Sequence, residues 1–167
     1  MNIKKELEDF IEYHLKRKEK KRVFQSVARS RAKEELLDLE NTSINDYINQ
    51  NKKNDTFQTL LFSWIDKQDK KDSEIYRKVN IDRRLFSKIR SNKDYHPSKE
   101  TVILLGIALE LSEEELEVLL ESASYSLPKN TTYDLIIRFC FQKHIYDIHK
   151  INELLFEHKC KLLNDNE

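Results

Sequence analysis

One glycine and two prolines in 167 residues constrain this chain more than any other feature. Phosphate-cradling loops and dinucleotide fingerprints need several glycines, so nucleotide sites of those kinds are excluded. Few β-turn signals remain, and long apolar periodicities dominate. The expected class is all-α.

Those periodicities divide the chain. Ile3, Leu7, Phe10, Ile11 and Leu15 form one helical stripe, and Val23, Phe24, Val27, Ala28, Leu36, Leu37 and Leu39 resume it beyond a highly charged run. Residues 1 to 40 contain neither Gly nor Pro, so one long helix or two with a charged hinge both fit. Ser43 is placed to cap a short helix carrying Ile44, Tyr47 and Ile48, and Asn49 to Asp55 reads as a polar linker. Phe57, Leu60, Leu61, Trp64 and Ile65 open the next unit. Ser98 is expected to cap a helix through Leu109, in which Gly106 suggests close approach of a neighbouring helix. Ser112 and Glu115 make an S-x-x-E capping box. Thr131 and Asp147 are the expected caps of the last two helices, with Leu135, Ile136, Phe139 and Cys140 inward on the first. Ile148, Ile151, Leu154 and Leu155 face inward on the second.

The segment Asp72 to Asn92, DSEIYRKVNIDRRLFSKIRSN, predicts a helix, a tight turn and a basic helix. Ile75 and Val79 share a face. Asn80 can supply the left-handed backbone that the turn needs. Ile81 is a buried plug, and Asp82 an N-cap facing the free amides of the next helix. Leu85, Phe86 and Ile89 then form an apolar back, and Arg83, Arg84, Ser87, Lys88 and Arg90 fall mostly off it. Such a helix suits the major groove.

Ser73 to Leu116 resembles the XRE (lambda-repressor-like) helix-turn-helix family. The likeness rests on Asn80-Ile81-Asp82, Ser87-Lys88-Ile89, Pro97-Ser98-Lys99-Glu100-Thr101, Leu105-Gly106-Ile107-Ala108-Leu109 and Leu111 to Leu116. More narrowly, Phe57 to Leu163 is similar to a bacterial subtype found C-terminal in some macro-domain proteins, through IDRRLFSKIRSNKDYHPSK and IYDIHKINELLF. Residues 1 to 54 are too short, and too poor in glycine, to be a macro domain. The chain departs from the family pattern at Asp72, where a phosphate-contacting Gln is usual, and at Tyr76, where a small residue is usual. Asn80 and Asn92 stand at its two glycine positions.

The resemblance implies a five-helix core over residues 55–122, a helical arm and linker over 1–54, and a helical extension over 123–167. It also implies a transcriptional regulator that acts as a dimer on double-stranded DNA, with half-sites about 34 Å apart. Base and phosphate contacts are expected from Arg83, Arg84, Ser87 and Lys88. Arg90, Lys93 and the Ser98 helix start are expected to grip backbone phosphates. Either the N-terminal or the C-terminal helices could supply the dimer contact.

Charge is compatible with this only locally. Lys+Arg 30 balances Asp+Glu 30, so no global field favours nucleic acid. Yet Lys71 to Lys93 holds eight bases against three acids, and Lys16 to Lys33 nine bases against Glu19. Glu110 to Glu121 holds six acids and no base. The Lys16 to Lys33 run could bind DNA, fold over Glu113 to Glu117, or be plain solvated surface.

An alternative expectation is an adaptor or antitoxin-like accessory protein, of the phage-defence kind, that keeps the fold without DNA binding. It would dock a protein through residues 1–40 or 123–163. Asp72 and the neutral total charge favour it. RNA binding is the poorer reading, since Tyr95 is the lone aromatic near the basic helix. Cys140-x-x-x-His144 and His158-x-Cys160 could be drawn into a zinc site, but Cys140 continues an apolar stripe and the second pair lacks finger spacing. No metal, cofactor or catalytic residue is assigned, because no nucleophile with its base and orienting group stands out. With two cysteines and no apolar segment of signal or membrane length near Met1, a cytoplasmic protein without membrane contact is expected.

Overall fold

The computed structural model describes residues 3–16, 43–51 and 56–163. Among the described residues the protein is all-helical, with nine helices and no strand. They are α1 (Ile3–Lys16), α2 (Ile44–Asn51), α3 (Phe57–Lys67), α4 (Asp72–Lys78), α5 (Arg83–Ser91), α6 (Lys99–Leu109), α7 (Glu113–Ser122), α8 (Thr132–Gln142) and α9 (Ile148–Glu157). Beyond Lys16, the expected basic arm lies outside the described residues, and so does the choice between one helix and two over residues 1 to 40. The expected linker needs one correction: α2 continues through Asn51, so the first three residues assigned to the linker are helical.

Polar caps set the helix starts. Thr56, Asp82, Ser98, Ser112, Thr131 and Asp147 each accept a hydrogen bond from a first-turn amide. Ser112 and Glu115 complete a reciprocal capping box.

The helix ends share a device that uses no glycine. Asp69, Asn80, Glu110, Ser124, His144 and Lys159 all have φ between 50° and 61°. At each, the following amide reaches back to close a Schellman turn, as in Ile81 N–H to the Tyr76 carbonyl at 2.8 Å and Tyr125 N–H to the Leu120 carbonyl at 2.8 Å.

At the centre lies α6, buried on every side from Thr101 to Leu109. A helix apolar all round must be enclosed, and α4 and α7 pack against it. Its neighbours come close at Gly106: a Cβ there would stand 2.8 Å from Leu116 Cδ1 on α7 and 3.4 Å from Phe141 Cζ on α8. Gln68 and Lys78 donate to the last carbonyls of α6, those of Leu109 and Ala108.

The N-terminal helix joins the C-terminal pair. Leu7 is buried, Phe10 packs on Phe139 with ring centroids 5.6 Å apart, and Glu6 pairs with Lys143 at 2.5 Å. Lys4 reaches Glu157 at 2.5 Å and Glu153 at 3.3 Å.

Two buried charges tie the C-terminal helices to the rest. Asp134 on α8 is met by Lys99 Nζ at 2.6 Å and by the Thr131 hydroxyl at 2.6 Å. Arg138, also on α8, pairs with Glu113 and Glu117 of α7 and donates from Nε to the Leu127 carbonyl at 2.7 Å. The acidic stretch Glu113 to Glu117 therefore meets a cation from α8. Whether the basic N-terminal run also reaches it lies outside the described residues.

Candidate nucleic-acid interface

The α4–turn–α5 unit is built as its local sequence predicts. Ile75, Val79 and Ile81 are buried, with Asn80 at φ 53°. Asp82 Oδ1 accepts from Arg84 N–H at 2.6 Å and Leu85 N–H at 3.3 Å, so the start of α5 is fixed by its own cap. Phe86 and Ile89 are buried and Leu85 half-buried. The Phe86 ring lies against Tyr76 of α4 and Phe62 of α3, at 5.7 and 6.0 Å between centroids. Tyr76, anomalous against the family pattern, thus fills the space between the two helices.

The far end of α5 is held as firmly. Gln58 of α3 donates to the Ile89 carbonyl at 3.0 Å and also to that of Arg90, satisfying carbonyls that a helix C-terminus leaves open. Cap, apolar back and C-terminal clamp together fix which face of α5 meets solvent.

That face carries Arg83, Arg84, Ser87, Lys88 and Arg90, all exposed. The structure divides them. Among the described residues Arg83 and Arg84 enter no ion pair, and Ser87 keeps an unengaged hydroxyl. Lys93, in the turn after α5, is likewise exposed, and unpaired among the described residues. Lys88 instead sits over the Tyr95 ring, its Nζ 4.6 Å from the centroid. Arg90 lies over Phe62 at 4.0 Å and hydrogen-bonds Asp72 at 2.5 Å. Asp72, the anion expected to oppose phosphate, is thus neutralised by a residue expected to bind it.

Two further positions are defined by their backbone contacts. Asn92 stands at a glycine position of the family pattern, yet its φ is −112°, extended backbone open to any residue. Its side chain accepts from Asp94 N–H at 3.0 Å and organises the turn that carries Lys93. Ser98 spends its hydroxyl on capping, accepting from Thr101 N–H at 3.2 Å and meeting the Thr101 hydroxyl at 3.0 Å. Only the unpaired amides of that helix start remain for an anion. His96 meets the Tyr125 ring edge-on, and the Tyr125 hydroxyl donates to the Pro97 carbonyl at 3.1 Å, so the loop after α5 is anchored to the end of α7.

The Cys/His residues are dispersed. Cys140 is buried, and burial pushes its thiol up to about 12. His144 contacts the Tyr146 hydroxyl, and His158 the Leu154 carbonyl. Among the described residues no group of three or more His, Cys, Asp or Glu is placed to hold a metal ion. Nor is any helix among them long and apolar enough to cross a membrane.

Sequence reasoning missed the Asp72–Arg90 pair, the Gln58 clamp and the Lys88–Tyr95 contact. Their only signal was an acid at the head of α4 and an aromatic just past α5. Comparison with family models, curated proteins and solved structures finds no match, so the family likeness rests on the residue pattern alone.

Proposed function

We propose that this chain is a sequence-specific double-stranded-DNA-binding protein of XRE type, a transcriptional regulator that inserts residues 82–91 into the major groove. The observation that carries this reading is the pair Arg83 and Arg84: exposed, free of ion pairs among the described residues, and projecting from the first turn of a helix clamped at both ends. Major-groove readers contact bases from the N-terminal part of the recognition helix, and an arginine can grip guanine bidentately. In this reading α3 to α7 form the five-helix core and Ser87 joins the base contacts. Lys93 and the start of α6 touch phosphate. The protein works without a catalytic residue or cofactor, in the cytoplasm, as a dimer joined through its N- or C-terminal helices.

Fluorescence anisotropy with DNA from immediately upstream of its own gene tests this. Tight, sequence-preferring binding should fall steeply with salt, because each neutralised phosphate releases counterions. An Arg83→Ala/Arg84→Ala variant should lose about ten-fold or more, one bidentate contact being worth about 1–3 kcal/mol. Equal, weak binding to scrambled DNA, unchanged in the variant, would overturn the proposal.

One observation favours the adaptor reading: Arg90 and Lys88 already have intramolecular partners, so part of the expected contact set is occupied. An adaptor would show no salt-sensitive DNA binding and a protein complex that survives moderate salt.

A further inference from the structure

A cavity of about 220 Å³ opens where the α4–α5 turn meets the start of α6 and the segment following α9. Its apolar floor is Ile81, Leu104 and Leu163, each nearly buried, with Leu85 at the side. Leu163 is held there by its amide, which donates to Asn152 Oδ1 at 2.9 Å. The floor is therefore built by three separate parts of the chain.

Charges of both signs stand around this floor. Asp82 and Glu100 supply carboxylates and Lys161 an ammonium, and Asn80, Ser98 and Thr101 add neutral polar groups. Lys161 and Glu100 face each other at 4.0 Å, the limit of an ion pair, so each retains capacity for a closer partner. Within electrostatic reach of Glu100, the Tyr133 hydroxyl is buried and has no hydrogen-bond partner among the described residues.

The occupant is limited by size and by charge. At about 30 Å³ per water, the volume holds about seven water-sized groups. Because Lys161 and Glu100 already face each other, a ligand with a single charge would take one of them and leave the other without its counterion. An apolar one would desolvate both. A small zwitterion with a short aliphatic body meets all three demands.

We propose that this cavity binds a compact aliphatic α-amino acid, its ammonium toward Asp82 and Glu100, its carboxylate toward Lys161 and its side chain on Ile81, Leu104 and Leu163. Asp82 also caps α5, so the ligand sits directly behind the helix whose exposed face carries Arg83 and Arg84.

Two-dimensional amide NMR of the full chain, titrated with L-valine and with L-leucine, tests the site without DNA, so its result stands apart from the proposed function. Isobutylamine and isobutyrate serve as the single-charge probes. At least one amino acid should shift the amides of Asn80, Ile81, Thr101 and Leu163 saturably, with each single-charge probe about ten-fold weaker. Lys161→Gln should weaken amino-acid binding by about ten-fold, and Leu104→Phe, which fills the floor, should abolish it. Retained spectral dispersion in both variants would show that they fold. No saturable shift with either amino acid would overturn the proposal, as would equal response to isobutylamine with no effect of Lys161→Gln.

Discussion

Asp72 Oδ1 accepts a hydrogen bond from Arg90 Nη2 at 2.5 Å, joining the first residue of α4 to the last turn of α5. Both side chains are more than a third exposed, so the pair contributes at most about 1 kcal/mol to stability. Its larger consequence is for charge: it removes one cation from the face that the proposed function turns toward DNA. Asp72→Gln restores the residue type of the family pattern and frees Arg90. Affinity for the preferred DNA should rise severalfold, and the slope of log affinity against log salt should steepen by about 0.9 for the phosphate gained. Anisotropy titrations at several salt concentrations measure both. An unchanged slope would mean that Arg90 does not face phosphate.

What the sequence revealed and what it hid follow from the range of the interactions. Asn80, Asp82, Ser98, Ser112, Thr131 and Asp147 were all placed correctly, because a cap or a left-handed turn is decided within four residues. A lone glycine in an apolar run signals a close approach at Gly106, but not that Leu116 and Phe141 make it. Pairings between elements were not legible. Arg90 finds Asp72 18 residues away, and Gln58 finds α5 across 31. Nothing local to Arg138 shows that it faces the acidic run of α7, 21 to 25 residues away. Asn92, at the other glycine position of the family pattern, sits in extended backbone that any residue adopts.

Arg138 is nearly buried and serves three acceptors at once, the Leu127 carbonyl, Glu113 and Glu117. Arg138→Met should cost about 3–5 kcal/mol, since Glu113 would keep a largely buried charge with no counterion. Arg138→Lys should also be destabilising, because one ammonium cannot reproduce the planar fork. Adding Glu113→Gln to Arg138→Met should recover part of the loss, and urea denaturation of the parent, the two single variants and the double variant closes the cycle. Strict additivity would show that the two residues are not coupled.

The left-handed helix ends carry a removable strain. Ser124 and Lys159 have φ of 61° and 55° and exposed side chains. A non-glycine residue there costs about 1–2 kcal/mol, partly offset because glycine enlarges the unfolded ensemble. Ser124→Gly and Lys159→Gly should each stabilise by about 0.5–1 kcal/mol. For a chain of this size that raises Tm by about 1–4 °C. Calorimetry should also find the two gains additive, since the sites close different helices. A fall in Tm would mean that these side chains make contacts worth more than the strain.

The thiols should separate by reactivity and by pH. Burial raises the Cys140 thiol from 9.0 to about 12, and raises the half-buried Cys160 thiol as well. The thiolate is the reactive form, so a disulfide reagent near neutral pH should label Cys160 slowly and Cys140 only after unfolding. Because the folded value lies above the unfolded one, the Cys140 contribution to stability is complete below pH 9. It is lost progressively as pH rises from there through about 12, where the unfolded chain has released a proton that the folded chain retains. Tyr133 and Tyr146, also raised by burial, act in the same direction. Cys140→Val should therefore reduce the fall in urea-unfolding free energy above pH 9, whatever its effect at neutral pH. An identical alkaline slope in both proteins would assign that fall to the tyrosines and remove Cys140 from it.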